Sequence, residues 1–103
     1  MEDTVLDALL VDVRDYLHIT WVDEKTDKNL KGMIKRGVAR LQKIAGVSLK
    51  FDEEDSPKTL LLDYVRYANS QALEMFEKNF ASELMSLHID SQVNAYVEDV
   101  VIP

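Results

Sequence analysis

Two histidines, His18 and His88, are the side chains best suited to proton transfer or metal ligation near neutral pH, and they stand far apart in the sequence. No cysteine accompanies them, which excludes thiolate catalysis, disulfides and thiolate-ligated metals and leaves the redox compartment undetermined. Two isolated imidazoles do not predict a structural zinc site. The run Asp23 to Asn29 carries the acids of a calcium loop. An EF-hand, however, wants Gly at its sixth position and Glu at its twelfth, where Lys28 and Ile34 stand. Gly32 and Gly37 have P-loop spacing, yet Val38-Ala39 replaces the Lys-Ser/Thr pair that would hold phosphate and magnesium. The acidic run Asp52 to Asp55 has the oxygens for a divalent cation, but loop solvation and favourable charge before a helix explain it without one. The serines lie outside any Gly-x-Ser-x-Gly elbow. With no convergent acid, base and nucleophile, the expectation is a non-enzyme without cofactor or metal.

Charge is the stronger signal. The chain has 103 residues, with 12 basic and 19 acidic side chains and a formal net charge of -7, which argues against wrapping nucleic acid by bulk electrostatics. Seven of the 12 basic residues nevertheless lie between Lys25 and Lys43, whereas residues 79–103 contain neither Lys nor Arg and carry Glu83, Asp90, Glu98 and Asp99. Lys28, Lys31, Lys35, Arg36 and Lys43 share one helical face. Three readings fit it: a solvated surface, a phosphate-binding stripe, or a contact with an acidic surface on an identical neighbour. Head-to-tail contacts of the last kind can close into rings.

Helices must position these groups. Leu6, Leu9, Leu10, Val13 and Leu17 recur at helical spacing and predict a first helix over residues 4–17, with Val11 isolated on its solvent side. His18 to Glu24, with the only Trp at position 21, reads as a loop. Asp23, Thr26 and Asp27 are all possible caps for a second helix, whose apolar stripe is Leu30, Ile34, Leu41, Ile44 and Ala45 and whose stop is Gly46. Gly37 lies within that stripe, either to admit another helix or as a tolerated glycine costing about 1 kcal/mol. Val47, Leu49 and Phe51 alternate like a short strand, one that would pair only in an assembly. Ser56-Pro57 marks the clearest helix start.

The third helix is expected to run from Pro57 to about Lys78. Its apolar arc is wide: Leu61, Tyr64, Val65, Ala68, Ala72 and Met75, flanked by Leu60 and Tyr67 on one side and Leu62, Leu73 and Phe76 on the other. Such an arc belongs to a helix that is central in a bundle or shared with another subunit. Phe80, Leu84 and Leu87 continue a helical period to about His88. Beyond Ile89 the sequence suits a strand or a helix equally.

Hydrophobic residues make up 47% and charged residues 30%, with three Gly and two Pro. The composition is globular and the length that of one domain. The acidic start at Met1 to Thr4 is unlike a signal peptide, and no apolar run approaches the roughly 18 residues of a membrane span. The expectation is a soluble, intracellular all-α protein. Its architecture is a small bundle of three to four helices with a long central third helix and an extended C-terminal tail. Residues 1–88 form the helical domain and residues 89–103 the tail, which folds back on the domain or docks on a partner.

The order of features resembles a phage family. A short acidic helix carries Leu9-Leu10 and Val13-Arg14, a Leu-x-Ile junction follows at Leu17 to Ile19, and Asp27 leads into Leu30, Ile34 and Arg40-Leu41. Ile44-Ala45-Gly46 closes that helix. After an acidic loop come Leu60 to Ala68, Phe76 to Phe80 and Glu83-Leu84. Over residues 5–88 the chain is similar to the small head-tail connector proteins of long-tailed phages and prophages, also called head completion or adaptor proteins. The matching features are helical register, length and apolar choices, with no catalytic signature.

The resemblance implies a structural protein that joins as a ring of identical copies, twelve in number, beneath the portal after DNA packaging. Such a ring extends the DNA channel and offers a platform to the stopper or tail-completion protein. It sits in the virion neck, having been made in the host bacterial cytoplasm from a phage or prophage gene. DNA passes without specific binding, and no membrane is involved. In this frame the subunit interface would draw on Lys28, Lys31, Lys35 and Arg36 with Leu60, Tyr67, Leu73 and Phe76. The portal contact would draw on Val93, Tyr96, Val97, Val100, Val101 and Ile102. The alternative is a small helical regulator that binds nucleic acid or a protein through the basic face of the second helix; a generic bacterial interaction domain is a third possibility.

Overall fold

A computed structural model describes the backbone of residues 2–101 and the side chains of residues 2–97. Five helices follow in order: α1 (Asp3–Tyr16), α2 (Glu24–Ala45), α3 (Ser56–Asn69), α4 (Leu73–Asn79) and α5 (Ala81–Val101). Among the described residues there is no strand. The all-helical bundle expected from periodicity is therefore what forms, with one helix more than expected. The molecule is elongated, 51 × 31 × 18 Å.

Local chemistry sets most of the helix ends. The Asp23 carboxylate accepts from the Thr26 backbone N–H at 3.1 Å and from its hydroxyl at 2.8 Å, satisfying a donor that the first turn of α2 leaves free. Gly46 ends α2 in the left-handed region at φ 76, where a residue without Cβ is unstrained. At α3 the cap lies one position earlier than Ser56: Asp55 accepts from the Ser56 N–H at 2.8 Å, and Pro57 occupies the first turn, where its missing N–H costs nothing.

Two helix ends carry no such mark. Gln71 stands at φ 55; its N–H reaches the Ala68 carbonyl at 3.1 Å, and the Ala72 N–H reaches that of Tyr67 at 2.9 Å. This pair of bonds is a Schellman motif. It ends α3 at Asn69, so the long third helix expected to reach Lys78 is two helices, α3 and α4. His18 ends α1 in the same way at φ 58, with bonds from His18 to Asp15 and from Ile19 to Arg14.

The core collects Leu6, Leu9 and Val13 of α1, Leu30, Ile34 and Leu41 of α2, Leu60, Leu61 and Val65 of α3, Phe76 of α4, and Leu84 and Leu87 of α5. Helix α3 touches all four other helices, so its wide apolar arc is that of a central helix. Gly37 serves close approach: a Cβ there would stand 2.7 Å from both Leu61 Cδ1 and Tyr64 Cδ1. Tyr64, Tyr67, Phe76 and Phe80 form an aromatic cluster, with Tyr64–Phe76 edge-on at 5.4 Å and Phe76–Phe80 stacked at 5.1 Å, binding α4 to its neighbours. The alternating segment 47–51 is a loop. The Gln42 side chain accepts from the Leu49 N–H at 3.0 Å, and Phe51 is buried in the core.

Beyond Ile89 the chain is helical through Val101, not an extended tail, and α5 crosses the 88/89 boundary without a break. It is fastened to the end of α2. His88 Nδ1 lies 2.8 Å from the Ile44 carbonyl, and Gln92 Nε2 donates to the Ala45 carbonyl at 2.8 Å. Those carbonyls belong to the last turn of α2, where no further helical N–H is available to them.

Candidate assembly surfaces

Four surfaces stand out, and α2 provides the first. Lys28, Lys35 and Arg36 are exposed, as the helical register requires. Lys31 is half-buried and has a partner within the chain: its Nζ lies 3.2 Å from Asp7 of α1. Lys25, Lys28, Lys31 and Lys35 line a shallow groove with Glu24 and Asp27. Arg40, further along, pairs with Glu77 of α4.

The apolar residues expected at a subunit interface divide. Leu60 and Phe76 are buried within the chain, and this corrects their assignment: the central position of α3 consumes their surface. Tyr67 and Leu73 are partly buried against the same core. Tyr67 keeps its hydroxyl available to accept from Asn79 Nδ2 at 3.1 Å.

The second surface is the outer face of α5. Val93, Tyr96 and Val97 are exposed, Tyr96 to 69%. The exposed Met85 and Ile89 extend the same stripe toward the start of the helix, because residues three and four apart share a face. Leu84, Leu87 and the buried Ser91 occupy the inward side. Helix α5 thus has two apolar faces, and among the described residues only one meets the bundle. The side chains of Val100 and Val101, and Ile102 altogether, lie outside the described residues.

The third surface is the α1–α2 turn, which the sequence marked only as a loop. Trp21 is 57% and Val22 81% exposed. Arg14 props the turn from beneath: its Nη2 donates to the Trp21 carbonyl at 2.7 Å and lies 2.9 Å from Asp27 Oδ1. The latter contact is an ion pair without hydrogen-bond geometry, and Arg14 Nε is buried with no hydrogen-bond partner among the described residues.

The fourth is a cleft of about 370 Å³ between α3 and α5. Leu60, Phe80 and Leu87 contribute apolar surface, and Asp55, Asp63, Glu83 and Asp90 contribute carboxylates, with no cation among the lining residues. Asp63 is already engaged: the Tyr16 hydroxyl donates to it at 2.5 Å, and Arg66 Nη2 pairs with it at 3.2 Å. That hydrogen bond, with burial, raises the Tyr16 phenol above the ordinary tyrosine range. Among the described residues no three or more His, Asp or Glu side chains are grouped closely enough to hold a metal ion.

Lys58 is a buried cation that periodicity could not flag. Its Nζ lies 2.8 Å from Asp12 and 2.6 Å from Glu54. The hydrogen bond to Asp12, then that to Glu54, holds the ammonium above the ordinary lysine range. Lys58 thereby ties α3 to α1 and to the acidic loop, which gives the Asp52 to Asp55 run a structural member in Glu54. Among the described residues no helix is long and apolar enough to cross a membrane. No family model, no curated protein and no solved structure matches this chain.

Proposed function

We propose that this chain is a structural head-tail connector subunit of a phage or prophage. It assembles in identical copies as a ring below the portal, extends the DNA channel and joins the head to a stopper or tail-completion protein. The observation that carries this reading is the two-faced α5. Its inner face completes the bundle, while its outer face, from Met85 to Val97, leaves an apolar stripe exposed and without a partner among the described residues. Stripes of that kind on otherwise polar surfaces mark protein contacts. The resemblance over residues 5–88 points to the connector family, and the stripe would give a portal a surface to hold.

Charge supports the same reading. Lys28, Lys35 and Arg36 of α2 face outward with no ion-pair partner among the described residues, on a chain whose net charge is -7, so one copy can offer cations to the acids of another. An acidic remainder repels the phosphates of passing DNA, which favours sliding over retention. The subunit needs no cofactor and catalyses no reaction in this role, and its place is the virion neck. Co-sedimentation with the portal protein of the same genome tests it. The full chain is expected to bind, and a chain lacking residues 89–103 to bind far less; failure of the full chain to bind overturns the reading.

A second reading rests on the groove lined by Lys25, Lys28, Lys31 and Lys35: a regulator holding nucleic acid through α2. Affinity for duplex DNA that falls steeply with salt, measured on the purified monomer, favours it.

A further inference from the structure

We infer that the Arg36, Ala39 and Lys43 face of α2 in one copy packs against the Glu83, Ser86 and Asp90 face of α5 in a second copy, head-to-tail. The inference deepens the ring reading and rests on it for the claim that the neighbour is an identical chain.

The α2 face is cationic throughout. From Lys28 to Lys43 the sequence holds six Lys or Arg and no acid. Arg36, Ala39 and Lys43 are exposed, and they share one side of the helix because they stand three and four residues apart. Neither Arg36 nor Lys43 has an ion-pair partner among the described residues. No large apolar side chain of α2 is exposed, so an apolar partner would bury cations against it and gain little.

The α5 face is the counterpart. Glu83, Ser86 and Asp90 repeat the same spacing, are exposed and form a wall of the cleft against α3, which has no cation among its lining residues. Leu60 and Leu87 of that cleft are buried in their own core, so a guest meets carboxylates and hydroxyls. Asp55 is engaged as the cap of α3, and Asp63 by Tyr16 and Arg66. Glu83 and Asp90 have no ion-pair partner among the described residues.

Each face therefore presents charge, small residue, charge at positions i, i+3 and i+7. The end charges stand about 10.5 Å apart along either helix, so two ion pairs form in one register while Ala39 over Ser86 lets the helices approach. The rest of the chain offers no equal match. Arg14, Lys58 and Arg66 are held by their own carboxylates, Lys50 stands two residues from Asp52, and Lys78 follows Glu77. Among the other acids, Asp7 is met by Lys31, and Asp12 and Glu54 by Lys58. No α2 residue lines the cleft, so the pairing takes two copies. The faces share no residue, and one copy can give one while receiving the other, the condition for a heterologous interface that closes into a ring.

The chain contains no cysteine, so disulfide trapping reads the contact directly. A chain carrying Ala39→Cys is mixed at low salt with one carrying Ser86→Cys under mild oxidant. The mixture is expected to form the 39–86 disulfide faster than Ala39→Cys with a control Ser48→Cys chain. Arg36→Glu with Lys43→Glu in the first chain, or Glu83→Lys with Asp90→Lys in the second, is expected to cut the rate about tenfold, because like charges then face each other. Reversing both chains together should restore it, and one chain carrying both cysteines should give a ladder of products beyond the dimer. The inference is overturned if the mixture cross-links no faster than the control, if either reversal leaves the rate unchanged, if the double reversal fails to restore it, or if the ladder stops at the dimer. Trapping by a chain that binds no portal would remove the connector reading and leave this contact standing; portal binding without trapping would do the reverse.

Discussion

Gly37 lies so close to Tyr64 that a β-carbon on the glycine would stand 2.7 Å from the ring Cδ1. The α2–α3 crossing is therefore set by the absence of one methyl group, at the point where α3 enters the centre of the bundle.

Gly37→Ala gains helix propensity worth about 1 kcal/mol but forces Leu61 and Tyr64 apart. Overpacking of this kind costs about 1–3 kcal/mol. A net loss of stability is expected in urea unfolding, whereas Gly32→Ala, whose added carbon meets only the Arg36 guanidinium at 3.3 Å, is expected to be neutral or stabilising. Equal effects at both sites would contradict the close-approach assignment.

Gln71 ends α3 in a backbone region that costs a non-glycine residue about 1 kcal/mol. Gln71→Gly is expected to raise the melting temperature slightly and Gln71→Val to lower it, because a β-branched residue tolerates positive φ least. If both substitutions lower it alike, the left-handed turn is not what separates α3 from α4.

Three helix ends were legible in their capping residues and the break after Asn69 was not, and the difference is physical. Asp23 and Gly46 bracket α2 with side-chain and backbone chemistry that any helix uses, and Pro57 does the same for the start of α3. Gln71 takes up the left-handed position that glycine usually marks, so the break after Asn69 leaves no trace in the sequence and the apolar period runs on to Lys78; His18 takes up the same position, but there the lapse of the apolar period after Leu17 still marks the end of α1. The wide arc on α3 identified a central or shared helix; only the packing of four neighbours assigned Leu60 and Phe76 to the core. Along α5 both faces are apolar, which blurs helical periodicity. The outward stripe could be read only once Leu84 and Leu87 were placed inward. The cleft joins residues from Asp55 to Asp90 and has no local signature at all.

Alkaline pH is expected to weaken the fold through Lys58 and Tyr16. The folded chain holds both groups above their ordinary values, Lys58 chiefly through Asp12 and Tyr16 chiefly through Asp63. Their contribution is complete below the ordinary range of each group and disappears as pH rises through the raised folded value. Unfolding free energy measured from about pH 8 to about pH 11 should fall, and Tyr16→Phe with Lys58→Met should flatten the fall. A slope that the two substitutions leave unchanged would mean that other groups govern it.

The two faces of α5 separate folding from assembly. Leu87→Ala removes inward packing and is expected to cost about 2–5 kcal/mol. Val93→Ser and Tyr96→Ser on the outer face should change stability by less than about 0.5 kcal/mol each. Comparable losses on both faces, followed by thermal melting, would show that the outer stripe is already occupied within the chain.

In the proposed role the outer stripe of α5 brings this chain to a portal. Sedimentation of the purified chain with the portal protein encoded in the same genome, compared with a Val93→Ser, Tyr96→Ser, Val97→Ser variant of unchanged helicity, tests it most directly. The unaltered chain is expected to travel with the portal and the variant to stay in the supernatant; an unaltered chain left in the supernatant, or a variant that travels equally well, contradicts the proposed role.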